Sequence, residues 1–89
     1  MGKLKVKSIE QTIENYVLGT IQGAFKTRRY WMNQGYDEDH AIKNAVNYGV
    51  GQIKAGVSAR NFEATIEMFR EVAGIATAFA NMLEKVKEG

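Results

Sequence analysis

Residues 62–86 read FEATIEMFREVAGIATAFANMLEKV, and within them Phe62, Thr65, Phe69, Val72, Ala76, Phe79, Leu83 and Val86 recur at alternating steps of three and four. That spacing holds one face of an α-helix in register along the whole stretch. The columns on either side are apolar as well: Ile66, Ala73 and Ala80 on one, Met68, Ile75 and Met82 on the other. Charge gathers on the remaining arc, at Glu63, Glu67, Arg70, Glu71, Glu84, Lys85 and Glu88, with Lys87 alone on a flanking column. An apolar arc this wide exceeds what one neighbouring helix covers. A long helix over about 59–87, touching at least two others, is the expectation.

Upstream, Gly56 reads as a helix terminator and Ser58 as the cap of the long helix. A second helix is expected over about 38–54. Asp37 is its N-cap, Glu38 and Asp39 complement its positive end, and Ile42, Ala45, Val46, Gly49 and Ile53 form its buried stripe. Gly49 and Gly51 each disfavour helix by roughly 1 kcal/mol relative to alanine, so a kink or fraying is expected there. A first helix follows from Ser8, with Gln11 at capping-box spacing, and from the stripe Ile13, Val17, Ile21, Ala24, Phe25, Arg28 and Met32. It should run over about 9–33 and stop where Gly35 can take the left-handed conformation. The fold class is therefore all-α: a three-helix bundle with a long C-terminal helix, dimerised through helical faces. The whole of 8–89 is expected to form one helical domain. Residues 1–7 alternate Lys3, Lys5 and Lys7 with Leu4 and Val6 and are expected to form a mobile basic arm.

Composition narrows the chemistry. The 89 residues contain no cysteine, no proline and one histidine, His40. Disulfides, thiolate metal sites and thiol nucleophiles are excluded, as is any single-chain site needing two imidazoles. Asp37 and His40 stand three apart, but a carboxylate-bridged metal centre in a helical bundle needs further inward glutamates. Glu63, Glu67 and Glu71 fall in the exposed columns, within helical reach of Arg60 and Arg70, and read as a solvated charged face. Both serines sit at caps. The chain is expected not to be an enzyme and to need no cofactor or metal. The longest uncharged apolar run, Val72 to Leu83, is shorter than the ~20 residues of a membrane span. Glu10, Gln11, Glu14 and Asn15 interrupt the apolar core a secretory leader requires, so a cytoplasmic location is expected.

The net charge of +2 is unevenly distributed, with +4 in residues 1–34 and −2 in residues 35–89. Two functional readings follow. Small residues at Gly19 and Gly23, and at Ala73 and Ala76, would let helices approach closely. With Phe69, Ile75 and Met82 they form the expected oligomer interface, on which the chain acts as a non-catalytic structural or adaptor protein. A homodimer, the commonest closed assembly, is favoured, and a protein partner is the other occupant considered. The alternative is nucleic-acid binding through Lys3, Lys5, Lys7, Arg28, Arg29, Arg60 and Asn61. Here Gln52–Phe62, with Ala55-Gly56-Val57-Ser58 at its centre, resembles the turn of helix-turn-helix DNA-binding domains. The resemblance implies that Ser58 touches phosphate, that Ala59, Arg60, Asn61 and Glu63 face DNA, and that Phe62 packs inward. At the end of the first helix, Trp31 is expected to close the bundle while the arginines beside it reach solvent.

Overall fold

A computed structural model of the chain describes residues 9–89. The N-terminal lysines and the Ser8 cap lie outside the described residues. Three helices make up the fold, α1 (Ile9–Asn33), α2 (Glu38–Gly56) and α3 (Ala59–Glu88), and no strand occurs among the described residues. The protein is all-α.

Local chemistry accounts for each boundary. Gly35 adopts φ 102°, and around it Gly35 N–H donates to Met32 O (3.1 Å) and Tyr36 N–H to Trp31 O (3.2 Å). This pair of bonds is the Schellman motif, in which a left-handed residue satisfies carbonyls the helix end leaves open. Its usual apolar clasp is present as well: the Trp31 and Tyr36 rings meet edge-on at 5.1 Å. Tyr30 packs edge-on against Trp31 on the other side, at 5.3 Å. Trp31 thus seals the α1–α2 turn. Two residues later Asp37 caps α2, its Oδ1 accepting from His40 N–H at 2.9 Å.

The α2–α3 junction differs from expectation. Gly56 is the last residue of α2 and has no left-handed φ; Val57, extended at φ −113° and ψ 127°, ends the helix by donating to Ile53 O. Gly56 serves packing instead, since a β-carbon there would lie 3.2 Å from the Tyr16 hydroxyl oxygen. Ser58 occupies the N-cap position of α3, but its hydroxyl makes no capping bond. Its carbonyl accepts Asn61 N–H at 3.0 Å instead, which already satisfies one donor of the first turn.

α1 and α2 pack antiparallel. Tyr16 meets Gln52 and Gly56 at one end, Thr20 meets Gly49 midway, and Arg28 meets Glu38 at the other. The seam on α2 consists of Ala41, Ala45 and Gly49, small residues that bring the helices close. Close packing explains why α2 runs unbroken through Gly49 and Gly51 to Gly56, because tertiary contact outweighs their weak helix propensity. It also corrects the expected stripe. Ala41 and Ala45 are buried, while Ile42, Val46 and Val50 turn away from α1.

α3 lays its first half on α1. Ile13, Val17 and Met68 form the core, with Ile21, Phe69 and Val72 packed against it. Thr65 is the buried polar residue among the described residues, and its hydroxyl donates to Asn61 O at 2.8 Å within the helix. α2 and α3 do not pack on each other. The long helix therefore touches one neighbour, not two, and the bundle is open on one side.

Candidate interaction surfaces

The opening is a groove of about 840 Å³ walled by all three helices. α1 contributes Phe25, α2 contributes Ile42, Val46 and Val50, and α3 contributes Phe62 and Phe69. The seam explains why these side chains converge. With Ala41, Ala45 and Gly49 spent on contact with α1, the adjacent column of large residues on α2 faces the groove. Phe25, expected in the buried stripe of α1, is 54% exposed and belongs to the same wall. The ion pair between Arg28 Nη1 and Glu38 Oε2, at 3.3 Å, borders it.

The second apolar surface is the projecting half of α3. Every residue from Ala73 to Gly89 is exposed. Ile75, Phe79, Met82, Leu83 and Val86 show between 52% and 71% of their area. This is the continuation of the stripe that covers α1 earlier in the helix, left exposed among the described residues.

The residues expected at an oligomer interface are scattered by this geometry. Phe69 is half-buried against the core. Ala73, Ile75, Ala76 and Met82 lie on the projecting half of α3 and are exposed. Ile75 and Ala76 also border a smaller groove beside Leu18, Glu10 and Glu14 of α1. Gly19 and Gly23 are exposed on a different face of the molecule, with open space where a β-carbon would stand. Of the groove residues, Ile42 and Val46 were expected in the buried stripe of α2 and Val50 carried no assignment, whereas all three are exposed. The signal for them was a column of small residues running beside a column of large ones, which an undivided apolar stripe conceals.

The residues expected to bind nucleic acid do not converge either. Lys3, Lys5 and Lys7 lie outside the described residues. Arg28 is engaged with Glu38 and with the Met32 sulfur, 3.2 Å away. Arg29 and Arg60 are exposed, but α2 starts beside Arg28 and ends just before Arg60, so they stand at opposite ends of a helix roughly 27 Å long. Asn61 is half-buried. Phe62, which the helix-turn-helix resemblance places inside, is 38% exposed and lines the groove. The second helix of that motif braces against the first; here α2 and α3 diverge from two extended residues, so the resemblance stays within the turn sequence.

Asp37 Oδ1 and His40 Nδ1 are 3.5 Å apart, both exposed, and no group of three or more His, Asp or Glu side chains positioned for a metal occurs among the described residues. Glu63, Glu67 and Glu71 are exposed. Among the described residues no helix is long and apolar enough to cross a membrane. Compared with protein-family models, curated proteins and solved structures, the chain matches none.

Proposed function

We propose that this chain is a non-catalytic helical assembly protein of the cytoplasm, which acts by joining copies of itself, or itself and a protein partner, through helical faces. One observation carries the reading: half of α3 and the walls of the groove are apolar and uncovered. Contiguous apolar surface on this scale is a mark of interaction sites. Composition supports the non-catalytic half, with no thiol and a single imidazole to serve as nucleophile or base. Light scattering across a concentration series tests it, with a dimer mass or higher expected. A constant monomer mass, with no protein partner recovered, counts against it.

Nucleic-acid binding is the competing outcome. Titration with duplex DNA across a salt series would favour it if affinity falls steeply with salt, as release of several counterions requires. Reversing Arg28→Glu and Arg29→Glu together should abolish such binding. On the assembly reading Arg29→Glu alone, which lies clear of the groove that Arg28 borders, leaves the oligomer mass unchanged.

A further inference from the structure

We infer that the groove of one copy is occupied by the projecting half of α3 from a second copy, and reciprocally, in a two-fold dimer. The inference rests on the assembly reading and specifies its contact.

Three observations point to this occupant. The first is fit in length. The groove runs along α2 from Glu38 to Ile53, and the uncovered half of α3 runs from Ala73 to Glu88. At 1.5 Å per residue each is about 22 Å long. The second is that α3 cannot fill the groove of its own chain. Phe62 and Phe69, on the first half of α3, form one wall, and α3 continues through Gly74 as a single helix. A straight rod cannot turn back into a space that its own beginning encloses, so an α3 seated in the groove comes from another molecule. The third is area. Ile75, Phe79, Met82, Leu83 and Val86 are half to three-quarters exposed, which leaves about 100 Å² on each for side chains of this size. Two reciprocal insertions remove roughly 1,000 Å² from the rods and about half as much from the groove walls, within the ~1,200–2,000 Å² of a stable interface. Reciprocity matters energetically as well, since one two-fold axis satisfies both uncovered surfaces of both chains.

The test uses two double variants at exposed positions, whose own folding should be little affected. Phe79→Glu with Leu83→Glu disables the rod, and Val46→Glu with Val50→Glu disables the groove. Wild type is expected to dimerise. Each variant alone should self-associate roughly a hundredfold more weakly or worse, because an unpaired carboxylate resists burial, while circular dichroism shows helix content retained. Mixed in equal amounts, the two should form a heterodimer, because one intact rod then meets one intact groove. A groove variant that dimerises like wild type, or a mixture that stays monomeric when both variants are folded, overturns the proposed contact and leaves self-assembly standing. Wild type that remains monomeric at every concentration removes both.

Discussion

At Gly35 the backbone stands at φ 102°, where a β-carbon crowds its own peptide neighbours. Gly35→Ala should therefore lower the unfolding free energy by about 1–2 kcal/mol in urea titration. Gly51 is exposed in mid-helix with open space around it, so Gly51→Ala should have the opposite sign and stabilise by roughly 0.5–1 kcal/mol. Gly19 and Gly23 are in the same open situation. If they face solvent in the assembled protein, Gly19→Ala and Gly23→Ala stabilise it by a similar amount and leave self-association unchanged. Weaker dimerisation in either variant would place that face in a close helix contact. The role of Gly35 was legible in advance because a glycine after a periodic run has one common use. That of Gly56 was not: its neighbour Tyr16 lies forty residues away in the chain, and no local pattern records the approach of the two.

Between elements, the α1–α2 seam depends on smallness rather than on apolar bulk. Ala45 is 2% exposed at the foot of the groove, between the helices, while Val46 next to it is 52% exposed on the groove wall. Ala45→Leu should thus cost about 1–3 kcal/mol by forcing α1 and α2 apart, although it adds apolar surface. Val46→Leu should change stability by less than about 0.5 kcal/mol. Thermal or chemical denaturation of the two variants side by side checks the pair, and equal costs would mean that the seam is misplaced. Helical periodicity alone could not separate these neighbours. Ile42, Ala45, Val46 and Gly49 share one broad arc, and which edge of it meets α1 is decided by how closely two backbones can come.

For the whole molecule, the radius of gyration is 16.4 Å, against roughly 12 Å for a compact chain of this length. Among the described residues, the large side chains fully withdrawn from solvent reduce to Val17, so the core they form is thin. If a second copy completes it, melting temperature should rise with protein concentration, as mass action requires when folding and association are coupled. A melting temperature independent of concentration would show that one chain is stable on its own. Helix number, approximate ends, the turn at Gly35, the cap at Asp37 and the excess apolar width of α3 were all decided by the sequence, since each depends on residues within a few positions of one another. What the tertiary structure alone decided is where that excess goes. α3 meets α1 and not α2, the large residues of α2 turn outward, and Arg29 and Arg60 stand apart, because these outcomes depend on the steric fit of small against large side chains across helices distant in the chain.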